Sequence, residues 1–178
     1  MTTSKGRSNM KNILVYLAVS FTLLNFVACS GDTENNLPTK TSAIIVINLT
    51  GILPIGISIA GADFTITLPV DVTPATTSGI VDSGVVSPSG TFAGGTQLPP
   101  IYTPATATTP GSLRVTLASS VLTGVSQVGE VATIAVQLAN GATPTAASFV
   151  VSAVCVIDAA LYNPISGVGA NVANVTLQ

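Results

Sequence analysis

Cys29 is the reactive side chain that the order of residues singles out. Lys5, Arg7 and Lys11 stand ahead of it, Ile13 to Ala28 is almost unbroken apolar sequence, and polar residues resume at Ser30-Gly31-Asp32. A basic start, an apolar core and small residues at the end have the layout of an export signal. The thiol of Cys29 stands at the junction where such a signal is cut. Little else competes with it for chemistry. The sequence has no histidine, which removes Ser-His-Asp and Cys-His catalysis and every His-containing zinc site. Lys40 is the only lysine after the junction, and it falls in polar, non-periodic sequence where a serine-lysine pair has nothing to position it.

Two other readings of the leader are weaker. Ile13 to Ala28 is short for a membrane span and holds Asn25, whereas a spanning helix needs about 20 apolar residues. Ordinary signal cleavage favours small residues at the cut and three before it, and Phe26 is bulky. The tetrad Phe26-Val27-Ala28-Cys29 instead resembles the lipobox of bacterial lipoproteins, with Phe26 where that family usually has leucine. The resemblance implies cleavage before Cys29, lipidation of its sulfur and attachment of the chain to a membrane. Ser30 after the cysteine implies, by the same family's sorting rule, the outer membrane.

Beyond the leader the chain keeps two cations, Lys40 and Arg114, against seven acids, a net charge of −5. Such a chain cannot neutralise a row of phosphates, so nucleic acid is excluded as a partner. Basic-patch binding to anionic lipid fails for the same reason. Glycosidase-type work needs two carboxylates set across one bond, and Asp63, Asp71, Asp82, Glu130 and Asp158 show no spacing that suggests a pair. Calcium would use the same acids, but no clustered D-x-D pattern is present. No catalytic residue, metal site or cofactor is expected. Gly124 to Gly129 lacks the lysine and hydroxyl of a phosphate loop and reads as a turn. The sequons at Asn48 and Asn174 fall in expected strands and read as chance. Cys155, within Val154-Cys155-Val156-Ile157, is expected to be an inert core thiol.

The elements that must carry these residues are strands. Residues 30–41 (SGDTENNLPTK from Ser30 to Lys40, then Thr41) read as a flexible tether, and 42–178 as one domain. Ala43 to Leu49 is a first strand, with Ile44 and Val46 on one face. Asp63 to Leu68 alternates cleanly, Phe64, Ile66 and Leu68 against Asp63, Thr65 and Thr67. Ser112 to Leu117 and Glu130 to Leu138 do the same, through Leu113, Val115 and Leu117 and through Ala132, Ile134, Val136 and Leu138. Phe149 to Ile157 is apolar on both faces and reads as a central, covered strand. Asn171 to Leu177 closes the chain. Shorter strands are expected near Ile55 to Ile59, Ile80 to Val86 and Gly90 to Ala93, and proline-rich Ser78 to Gly111 as loops around short strands. Many short strands and no 3.6-residue period indicate an all-β antiparallel sandwich. A membrane barrel would need regular ten-residue segments and aromatic girdles, and only five aromatics follow Cys29.

The strands Gly61 to Leu68, Pro110 to Leu117, Gly129 to Val136 and Ser148 to Asp158 resemble, in order and pattern, those of cohesin-like modules of bacterial envelope proteins. Gly129-Glu130-Val131-Ala132-Thr133-Ile134 is similar to that family's glycine-led strand. The resemblance spans about Ser42 to Gln178 and implies a nine-stranded, jelly-roll-like sandwich within a superfamily of carbohydrate-binding folds. It implies a non-catalytic binding or scaffold module, whose partner is a dockerin-like protein or a polysaccharide. Sugar binding uses exposed aromatic platforms, which leaves Tyr102 and Tyr162. Tyr102, among prolines, is the candidate ligand contact, with capping of the core edge as its alternative role. A structural subunit that joins copies through sheet edges is the second functional reading.

Overall fold

Residues that alternate apolar and polar at every second position form two sheets and turn their apolar sides toward each other. The computed structural model describes residues 39–139 and 141–178, and Thr39–Gln178 form one compact unit that contains the whole buried core. Cys29 and the tetrad residues Phe26, Val27 and Ala28 lie outside the described residues.

In chain order the strands are β1 (Ser42–Gly51), β2 (Ile59–Leu68), β3 (Val72–Thr73), β4 (Thr76–Thr77), β5 (Ile80–Val81), β6 (Val86–Pro88), β7 (Thr96–Gln97), β8 (Ile101–Thr103), β9 (Gly111–Ala118), β10 (Glu130–Leu138), β11 (Val150–Asp158) and β12 (Val168–Leu177). The first sheet runs β12-β1-β10-β3, with β6 also on β10; the second runs β11-β2-β9-β7, with β8 also on β9. All of these pairs are antiparallel, and β4 and β5 make a separate hairpin. The fold is an all-β sandwich. No helix among the described residues is long and apolar enough to cross a membrane.

The core is the meeting of the two inner faces. Ala43, Ile45, Ile47 and Leu49 of β1 and Ala132, Ile134 and Val136 of β10 face Phe64, Ile66 and Leu68 of β2 and Leu113, Val115 and Leu117 of β9, all buried. Burying each Ile, Leu or Phe contributes about 1.5–3 kcal/mol, which offsets the entropy of ordering the strands. Phe92 closes the core from a single 3-10 turn, Gly90–Phe92. Proline and glycine confine the stretch between β2 and β9 to pieces of two or three residues, because proline cannot donate to a ladder.

Several expectations change. Ile44 and Val46 do share a face, but it is the outer one; the run Ala43 to Leu49 is apolar at both parities, and the odd-numbered residues are the buried set. Gly90 to Ala93 forms the 3-10 turn rather than a strand, with Gly90 at φ 53° against the backbone of Glu130. Ile55 to Ser58 are loop, and Ile80 to Val86 splits into β5 and the start of β6 around a turn. Tyr102 lies in β8, one of the short strands within the proline-rich stretch. Twelve strands are present among the described residues, six of eight to ten residues and six of two or three, where the resemblance implies nine.

The largest change concerns β11, which is an edge strand and mostly half-exposed. Ser152 pairs with Thr65 and Cys155 with Asp63, so Ala153 and Val154 together oppose the single residue Phe64. This bulge shifts the alternation by one residue. Val151 and Val156 can therefore both face inward although they are five apart, which gives β11 the two-sided apolar pattern of a central strand. Ala153 carries the bend at φ 50°, a conformation that costs an L-residue about 1–2 kcal/mol. Ala153→Gly is expected to leave stability unchanged or raise it by up to about 1 kcal/mol. Ala153→Val, normally favourable in an exposed strand, is expected to cost about 1–3 kcal/mol. Urea unfolding of the two variants measures both.

Candidate binding face

The outward side of the second sheet gathers most of the polar side chains that the sequence singled out. Register places them in rows across β8, β9, β2 and β11: Ile101, Arg114, Thr65 and Ser152 in one, Thr103, Ser112, Thr67 and Val150 in the next. A third row holds Thr116, Asp63 and Cys155, extended by Leu98, whose N–H donates to the Thr116 carbonyl. On β2 and β9 alternation explains the set, since Asp63, Thr65, Thr67, Ser112, Arg114 and Thr116 each stand next to a buried core residue of the same strand.

Asp63 is the centre of the face. The Nε–H of Arg114 donates to both carboxylate oxygens, at 3.1 and 3.2 Å, and the Thr116 hydroxyl donates to Oδ2 at 2.5 Å. Arg114 stands two residues along β9 from Thr116, the position directly opposite Asp63, a diagonal that its long side chain spans. The Arg114 side chain is 58% exposed and that of Asp63 22%, so the pair is solvated and contributes no more than about 1 kcal/mol to stability. Its consequence is directional: the Nε–H is committed to Asp63, which leaves the other N–H groups of the guanidinium open to a partner. Around it are the hydroxyls of Thr65, Thr67, Ser112 and Ser152, and at the margins the exposed Leu98, Ile101 and Val150.

Cys155 belongs to this face, which corrects the expectation of a core thiol. It is a free, half-buried cysteine opposite Asp63, and Val156 occupies the buried position beside it. The bulge at Ala153 produced the misplacement, because it exchanges the parity of every later residue in β11. Tyr102 pairs with Leu113, so its ring faces the sandwich interior and packs against the core edge, half-buried. The geometry gives it the capping role.

The remaining acids are dispersed. Asp82 lines a recess of about 320 Å³ with Ser83, Gln97 and Pro99, in which no second acid takes part. Among the described residues no three His, Cys, Asp or Glu side chains come together as a metal site would require. Asp158 is 5% exposed and wholly engaged by its own loop. Oδ1 accepts the N–H groups of Ala160 (2.6 Å) and Leu161 (3.0 Å), and Oδ2 that of Asn163 (3.3 Å). The bond from Leu161, then that from Ala160, holds its carboxyl below the ordinary value, assisted by Asn163 and opposed by desolvation. No sequence signal marked Asp158 as a loop organiser, although an aspartate at a strand end followed by a nine-residue connection is the usual setting for an Asx-type turn.

A carboxyl with a lower pKa in the folded than in the unfolded state stabilises the fold above the ordinary carboxylate value. That contribution disappears as pH falls through the folded value. Asp158→Asn is therefore expected to lower Tm at neutral pH and to narrow its gap to the wild type as pH falls below about 4. Thermal melts at several pH values between 2 and 7 give the comparison; a gap that widened on acidification would contradict the assignment. Compared with known proteins, the chain matches no family model, no curated protein and no solved structure.

Proposed function

We propose that this chain is a lipid-anchored envelope protein whose jelly-roll-like, cohesin-like sandwich is a non-catalytic binding or scaffold module for a protein or a polysaccharide. The export and anchoring part rests on the order of residues in 1–30: basic leader, apolar core, Phe26-Val27-Ala28-Cys29 and then Ser30, which favours the outer membrane. The observation that carries the binding part is the outward face of β8-β9-β2-β11. It is a flat, hydroxyl-lined sheet surface with one oriented guanidinium and apolar margins. That composition suits recognition through hydrogen bonds flanked by apolar contact. A sugar polymer finds donors and acceptors there without a stacking aromatic; a protein partner finds an arginine of the kind enriched at interface centres.

One observation favours the second reading, a structural subunit that joins copies edge to edge. β12 is ten residues long, borders only β1 in its sheet, and carries no charge and no proline. Edges are normally guarded by such residues, and a bare one can accept a strand from a second copy. Size-exclusion chromatography of Thr39–Gln178 separates the two readings, because a strict monomer at high concentration sinks the assembly.

The anchor is tested by Cys29→Ser in the producing cell. The wild type should take up labelled palmitate and sediment with membranes, and the variant should do neither. The face is tested by Arg114→Glu, which reverses its one cation. Capture of a partner from envelope extract, or of a glycan on an array, is expected to fall at least about tenfold, while Tm shifts little because the pair is exposed. Equal capture by the variant would remove the face from the proposal.

A further inference from the structure

The end of the sandwich opposite the start of β1 carries a second surface of different chemistry. β1, β9 and β11 all run toward that end, so the connections 52–58, 119–129 and 159–167 meet there. They are tied to one another by backbone. Ile59 and Val125 form a bridge, the Ser58 hydroxyl donates to the Thr123 carbonyl, and the Ala159 N–H donates to the Ser58 carbonyl. Gly124 sits at the junction at φ +73°, where a Cβ would come 2.7 Å from the Ile59 carbonyl oxygen and 2.8 Å from the Ala159 Cβ. Asp158 braces the third connection. The loops form a fixed crown.

Five large apolar side chains stand out from this crown with almost nothing against them: Ile55 at 104% exposure, Leu122 at 99%, Ile52 at 86%, Tyr162 at 74% and Leu161 at 72%. The three connections contain no Asp, Glu, Lys or Arg, although the chain after Cys29 has a net charge of −5. Exposed apolar side chains grouped in this way mark a contact surface. Their form and charge identify what they contact. Protein interfaces are flat or pocketed and carry a polar, partly charged rim. Here Ile52, Ile55 and Leu122 project from loop tips beside a recess of about 250 Å³ between Pro54, Ile57 and Leu161, and the connections themselves supply no charge, the flanking Asp158 being buried and bonded to its own loop. Free-standing Ile, Leu and Tyr on a rigid, uncharged support match the interfacial zone of a bilayer, where aliphatic chains enter the acyl region and a tyrosine hydroxyl stays among the headgroups. We infer that the crown of 52–58, 119–129 and 159–167 inserts its apolar side chains into the surface of a lipid bilayer. Because the crown has no cation, the contact is apolar and independent of anionic lipid.

The experiment uses Thr39–Gln178, which holds the whole core of the sandwich and lacks both the apolar leader and Cys29. The fragment is expected to float with phosphatidylcholine vesicles, to the same extent in 0.1 M and 1 M NaCl. Ile55→Ser and Leu122→Ser are each expected to weaken partitioning roughly tenfold and together roughly a hundredfold. Ile80→Ser with Val70→Ser, exposed apolar residues away from the crown, should leave it unchanged. Circular dichroism melts confirm that each variant is folded, and Leu161→Ser replaces any that is not. Absence of flotation overturns the inference, as does flotation that the crown variants do not reduce or that high salt abolishes. A crown-dependent dimer on size exclusion without vesicle binding also overturns it, and assigns the crown to a second copy.

Discussion

Each long strand of this sandwich has to keep one parity of its side chains against the opposite sheet, and everything else in the molecule follows from how that parity is held. A slip of one residue would exchange the buried and exposed sets of a strand completely. With two cations after Cys29 and one ion pair among the described residues, charge does little to prevent a slip. The burden falls on apolar burial. Phe64 against the β9 row Leu113, Val115 and Leu117, and Ile45 and Ile47 against Ile134 and Ala132, admit one register each. Where the chain departs from strict alternation it uses bulges. Val131 and Ala132 are consecutive and both buried, and the ladder of β1 shifts between Ile47 and Asn48 to admit them. Val172 and Val175 of β12 lie three apart, pair with Ile47 and Ile45, and leave Ala173 as the extra residue.

The same constraint explains what could be read in advance. β2, β9 and β10 alternate in the letters themselves, so their inner faces were legible residue by residue. β1 was legible as a strand but not by face, because Ile44-Ile45-Val46-Ile47 offers the same hydrophobicity at either parity. The decision belongs to β10 and β12, whose registers are not visible in β1. β11 misled more deeply. A bulge within an edge strand and a strand covered on both sides produce the same apolar sequence, and Ala153 gives no hint that it stands at positive φ where glycine is usual. Cys155 followed β11 onto the wrong face for that reason alone. The short strands β3 to β8 contain too few residues for any period; β3 and β6 pair along β10, β7 and β8 along β9, and β4 and β5 only with each other.

The binding face and the core are therefore one fact seen from two sides. Asp63, Arg114 and Thr116 are outward because Phe64, Leu113, Val115 and Leu117 are inward, and their mutual geometry is set by the β2–β9 register rather than by their own attraction. The weak, solvated Arg114–Asp63 pair does not hold the sheets; the sheets hold the pair. A partner binding there meets an arginine whose place in the sheet has already been set by burial elsewhere, with its Nε–H turned to Asp63. Tyr102 shows the converse. Its pairing with Leu113 turns the ring inward, so the aromatic that composition would nominate as a platform serves the core edge instead.

The crown obeys a different rule, because loops have no parity to assign their side chains. Ile52, Ile55, Leu122 and Leu161 are exposed although the same types are buried throughout the strands, so hydrophobicity did not decide their position; the connections did. Three connections of seven to eleven residues, pinned at Gly124 and at Asp158, cannot fold back over the end of the sandwich without giving up the Ile59–Val125 bridge and the turn around Asp158. The backbone is thus committed before the side chains find cover. Leaving large apolar groups in water on a rigid support is unfavourable for an isolated domain and brings no gain in packing, which is the physical reason to look outside the chain for what covers them. Sequence alone could show that 52–58, 119–129 and 159–167 contain no charge; only the topology, with β1, β9 and β11 running the same way, places the three beside each other and turns three apolar loops into one surface.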